Sequence, residues 1–241
     1  MFDLRTVPSM LSDLLQRLGK VGSSRFFWTL IVIELAFLAL HLGVAGFTEP
    51  QGRTDPANWA RIDADQSLSE WFEYALFGIA AALIWLSSHA SSSYKVMPIA
   101  ALLLMLALDN MLGGHEHLAG MLLPGHQAYG ELLVAMLYAA AAAGCIIASF
   151  VKASDKQRVF VLSIIVGIGL LGGFGVVVDL IHSRIGARLP NARLWAGLIE
   201  DFGELVSTGC IAAACWSFFE ETTLGAVSPS VFGKLPHQVA N

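Results

Sequence analysis

The sequence is poor in charge. Asp, Glu, Lys and Arg make up 14% of its 241 residues, while hydrophobic types make up 56%. A soluble domain carries about 25% charged residues, so a water-soluble globular chain is a poor fit. Any basic excess is missing too: 14 Lys and Arg stand against 19 Asp and Glu, a net charge of -5. With no basic stripe, nucleic acid is not an expected partner. Cysteine is scarce. Cys145, Cys210 and Cys215 lie in apolar runs, too few for a disulfide framework, and read as small buried hydrophobes. The hydrophobic content excludes disorder. The alternation over about ten residues that marks barrel strands is missing as well.

What the sequence has is apolar runs near the length of about 20 residues that a bilayer core requires. They are Phe26–Phe47, Trp71–Ser88, Val96–Leu112, Gly130–Val151, Val159–Ile181 and Trp195–Phe219. The fold class they imply is all-α, a polytopic membrane protein built as a bundle of six transmembrane helices. The second and third runs are short and are expected to extend at their outer ends. Residues 1–25 form an N-terminal segment in which Leu11, Leu14, Leu15 and Leu18 recur beside Arg17 and Lys20. That spacing predicts a short amphipathic helix on the membrane surface. Residues 26–220 form the transmembrane domain, with an acidic outside loop over 48–69, and residues 221–241 a flexible tail. The lipid bilayer is the first partner; a second copy or a larger membrane complex also fits the pattern.

Basic residues give the orientation. Nine fall on one side of the alternating loops and five on the other. Both termini are therefore expected in the cytoplasm, most simply across a bacterial inner membrane. Arg184, Arg188 and Arg193 run against this rule and call for carboxylate partners.

Ionisable residues inside apolar spans cost about 2.5–3.5 kcal/mol each at mid-depth and default to functional hypotheses. Asp109, His115, Glu116, Asp179, His182, Glu200 and Glu204 are the candidate metal ligands. Glu34, His41, Glu73, Glu131 and Asp201 are further polar-site candidates. Nearly all fall in the outer halves of their spans, which predicts one polar chamber opening outward. Helical spacing supports convergence. Glu34 and His41 are seven apart, as are Asp109 and Glu116, and Glu131 and Tyr138. Asp179 and His182 are three apart, and Glu200, Glu204 and Ser207 follow a 4, 3 spacing. Carboxylates and imidazoles from several helices are how bundles hold metals, and such ligands suit Fe, Mn or Zn better than Cu(I). A transition-metal ion is thus the expected cofactor, with a metal-dependent membrane enzyme as one function. A proton- or cation-coupled transporter is the second, and an accessory subunit whose polar cluster fixes helix packing is the third.

Gly167, Gly169 and Gly172 match a dinucleotide-binding pattern, but inside an apolar helix it has no strand before it. Gly169 and Gly173 read instead as a close-approach face between helices. Asp109-Asn110-Met111-Leu112-Gly113-Gly114-His115-Glu116 resembles a motif of bacterial multi-pass membrane proteins of unassigned function, Asp-x5-His-Glu. In that family a later helix carries Val-Asp or Val-Glu and the last carries a paired acid. Val178-Asp179 and Glu200-Asp201 with Glu204 look similar. The resemblance covers the chain from the third run onward and implies that these acids and His115 act as a set.

Overall fold

The computed structural model describes residues 7–45, 57–64, 66–178 and 190–224. They form eight α-helices: α1 (Val7–Gly22), α2 (Arg25–Leu40), α3 (Leu68–Ala90), α4 (Met97–Leu112), α5 (Gly114–Leu122), α6 (Gln127–Lys152), α7 (Asp155–Gly172) and α8 (Pro190–Phe219). No strand occurs among the described residues. Helices α2, α7 and α8 run on into wider π-helical turns at His41–Ala45, Gly173–Val178 and Glu220–Leu224. Six segments are long and apolar enough to cross a membrane: Arg25–Gly43, Leu68–Ala90, Tyr94–Leu112, Leu132–Lys152, Asp155–Gly175 and Trp195–Thr223. The chain is a multi-pass helical membrane protein.

Local chemistry sets the helix starts. Ser24 accepts the Phe27 N–H at 3.1 Å and Ser67 accepts the Glu70 N–H at 3.3 Å, satisfying donors that a helix leaves open. The Glu70 carboxylate in turn accepts from the Gln66 N–H. The expected outward extension of the third run does not occur as one helix. Gly113 adopts φ 58°, the left-handed region, which ends α4 and starts α5 in a new direction.

Helix α8 is the hub. It packs along α3 and α7 and against α2, while α3 also packs along α4, and α6 lies against α4 and α5. In lipid, helix association relies on close van der Waals packing. The tightest approaches on α7 and its π-turn are not at Gly169 and Gly173, which have open space where a side chain would begin. They are at Gly167 against Ile211, and at Gly175 against Glu204. The apolar core joins α3, α4, α7 and α8 through Phe77, Ile84, Ile99, Leu103, Phe160, Ile164, Ile211 and Phe218.

The N-terminal helix forms as expected, but it docks on the bundle. Met10, Arg17 and Val21 are buried, while Leu11 and Leu15 remain exposed, the face left for lipid. Arg17 Nη1 donates to Glu221 Oε2 at 3.0 Å and Lys20 Nζ to Glu221 Oε1 at 2.8 Å. The Arg17 guanidinium also lies over the rings of Phe160 and Phe218, 5.5 and 5.8 Å from their centroids. Burial pulls its pKa below the usual guanidinium value, and Glu221 opposes that shift. This contact closes the end of the bundle opposite the segment 57–64; the two are called here the α1 end and the cap end.

Candidate functional site

The described acids fall along two separate lines. The first follows α8. Residues 57–64 pack against the π-turn after α2 and against α3, with Arg61 fully buried and bonded to both oxygens of Asp63 at 2.9 and 2.6 Å. His41 Nδ1 accepts the Ile62 N–H at 3.1 Å, so its ring proton resides on Nε2. The 3.7 Å approach of Asp63 to that same nitrogen is then a dipolar contact, not an ion pair. His41 ties the end of α2 to the cap.

Inward from the cap, Asp201 lies within electrostatic reach of Glu200, Asp63, Glu73 and Glu70. Glu73 is buried on α3, and its Oε1 accepts from Thr208 on α8 at 3.1 Å. One residue further along α8, Gly209 leaves the space that Glu34 of α2 fills; a methyl group at Gly209 would overlap Glu34 Oε1. Glu34 is 0% exposed, and neither of its oxygens has a hydrogen-bond partner among the described residues. It stands at the midpoint of its span Arg25–Gly43, and Gly209 at the midpoint of Trp195–Thr223. Glu204 uses the same device, with Gly175 leaving room for its carboxylate. Ser207 bonds back to the Gly203 carbonyl at 2.7 Å, so it does not join the acids.

The second line belongs to α4, α5 and α6. Asp109 is 9% exposed. Its Oδ2 lies 2.9 Å from His115 Nδ1, and its Oδ1 accepts from Tyr138 at 2.6 Å. The left-handed Gly113 makes the first contact by turning α5 back over the end of α4. Helices α4 and α8 are not packed along one another; α3 packs against both and separates them. Asp109 and His115 are thus brought together, and Asp201 lies within electrostatic reach of Glu73, with α3 between the two groups. No three His, Cys, Asp or Glu side chains among the described residues form a group able to hold a metal. Asp179, His182, Arg184 and Arg188 lie outside the described residues, and so do the side chains of Glu116, Glu131 and Arg193.

Sequence reasoning missed several participants. Thr208 is seven residues after Asp201 and shares its helix face, a signal available from spacing. Tyr138 shares a helix face with Glu131 by spacing, and the partner that spacing does not report is Asp109 of α4. Gly209 carried no signal, since its role depends on which helix faces it.

Residues 27–218 match the model of a family described as a domain of unknown function, DUF8692. The chain belongs to the DUF8692 family. No curated protein and no solved structure matches it. The family match runs from the start of α2 almost to the end of α8 and takes in both carboxylate lines, more than the stretch from the third run onward that carried the sequence resemblance. Helix α1 and Glu221 lie outside it.

Proposed function

We propose that this DUF8692 protein binds and releases protons at Glu34 as the central site of proton- or cation-coupled transport. The observation that carries the reading is the isolation of Glu34: fully buried, at the midpoint of its span, with no hydrogen-bond partner among the described residues. A bare carboxylate in such a place is costly, and a proton or small cation on it removes the cost. The acids on the cap side supply a graded approach. Asp63 and Asp201 sit at the entrance, and Glu73 hydrogen-bonds Thr208, the residue beside Gly209. On the other side of Glu34, a cavity of about 180 Å³ lies between α1, α2, α7 and α8. Ser163, Gly167 and Cys210 line it, and Leu18, Val21 and Gly22 of α1 close it. That cavity gives the apolar half of the bundle room for an exit route, gated where α1 docks. Reconstitution into liposomes containing a pH-sensitive dye tests this. Wild-type protein is expected to dissipate an imposed pH gradient, and Glu34→Gln to slow that flux at least tenfold. Wild-type flux equal to that of empty liposomes, or a Glu34→Gln protein as fast as wild type, overturns it.

A bound Fe, Mn or Zn ion in a metal-dependent membrane enzyme is the second reading. It is favoured by one observation: Gly175 touches Glu204, and Asp179 follows four residues later in the sequence, with His182 beyond it. Glu200, Glu204, Asp179 and His182 would be the ligands on one side, and Asp109 with His115 on the other. Metal analysis of the purified protein beside Glu204→Gln separates the readings. One or two equivalents lost in a folded variant support the enzyme, and a metal-free wild type removes it.

A further inference from the structure

A further cavity lies away from the Glu34 line. It is a groove of about 440 Å³ between α4 and α6, within the size range of small-molecule sites. Leu104, Met105, Leu108 and Leu112 wall it, and Asp109 and Tyr138 close one end. Leu104, Leu108 and Leu112 are exposed, so the groove opens sideways from the bundle, into the bilayer, and not along its axis.

We propose that this groove binds a lipid-soluble amphiphile through a hydroxyl headgroup. The polar end selects the headgroup. A carboxylate offers about four lone-pair positions. Tyr138 occupies one at 2.6 Å and His115 another at 2.9 Å. The remaining acceptor capacity points to a ligand that donates. The apolar walls select against a charged donor, because a permanent charge brought in from the lipid is costly, whereas a neutral hydroxyl needs one acceptor. Gly114 leaves room for the carboxylate: a methyl group there would come within 2.7 Å of Asp109 Oδ1. The hydroxyl can come from a phenolic quinol or from an aliphatic alcohol such as a diacylglycerol. The proposal involves binding alone, uses none of the Glu34 line, and stands or falls independently of it.

Native mass spectrometry of the full chain in detergent tests the idea. The probes are a short-chain ubiquinol and dioctanoylglycerol, each beside its O-methyl ether. Wild-type protein is expected to retain one equivalent of a hydroxyl probe at least tenfold more readily than the matching ether, and whichever probe is retained identifies the source. Asp109→Leu removes the acceptor and should abolish the preference. Leu108→Trp fills the groove while leaving Asp109 and its partners in place, so it covers the case in which the Asp109 variant does not fold; it should lose the adduct. Equal retention of alcohol and ether, or an adduct undiminished in Leu108→Trp, overturns the proposal. A dimer split by Leu108→Trp, with no adduct, also overturns it and gives the groove to a second copy of the chain.

Discussion

Glu34 and Gly209 share one space: the carboxyl group of the first fills the volume in which a side chain on the second would begin. The pairing joins α2 to the hub helix at mid-span and leaves the acid with α8 backbone for a wall. Gly209→Ala should therefore displace Glu34. Overpacking of this kind costs about 1–3 kcal/mol, read as a lower unfolding midpoint in detergent. In a Glu34→Ala background the added methyl has room, so the same change should cost much less. Additive penalties would show that the two residues do not share this space.

Thr208 supplies the hydrogen bond to buried Glu73. Thr208→Val keeps the shape and removes the donor, with an expected cost of about 1–3 kcal/mol for the unsatisfied acid. Thr208→Ser should restore most of it. Thermal unfolding of the three proteins side by side is the check.

Tyr138→Phe takes from Asp109 its 2.6 Å donor. Hydrogen bonds to charged groups are worth about 1.5–3 kcal/mol, and a loss in that range is expected. Because Asp109 and Tyr138 are in contact, Asp109→Asn and Tyr138→Phe together should cost less than the sum of the two. A double-mutant cycle measures the coupling, and zero coupling would count against the pair.

At the α1 end, Glu221→Gln should be costly, at about 1.5–3 kcal/mol, because it leaves the Arg17 charge buried without its carboxylate. Adding Arg17→Met should recover much of that loss, since removing both partners avoids an orphaned charge. Lys20→Ala should be nearly neutral, within about 1 kcal/mol, as Lys20 is more than half exposed. Protease accessibility of α1 provides a second readout, with Glu221→Gln cut faster than wild type.

Much of the fold was legible in the sequence, because span length and apolar composition are one-dimensional properties. The six runs correspond to the six spans. Position along a span was legible too: Glu34 lies at the midpoint of Arg25–Gly43. Lateral arrangement was not. Spacing places Asp109 and Glu200 on polar faces, but it carries no information that α3 lies between their helices. The same gap explains the glycines. Gly169 and Gly173 have the familiar spacing, yet Gly167 and Gly175 make the contacts, because spacing alone does not say which face of the helix meets α8. Glu221 opens the segment read from the sequence as a flexible tail. Its pairing with Arg17 spans 204 positions, and no local pattern reports that.

The central claim is that Glu34 carries an exchangeable proton at mid-span. Infrared difference spectroscopy of the protein in lipid, wild type against Glu34→Gln, tests it most directly. The account predicts a carbonyl band of a protonated carboxyl group in the wild type at neutral pH. That band should shift on exchange into deuterium oxide and be missing from the variant. Identical spectra for the two proteins in the protonated-carboxyl region would contradict the account.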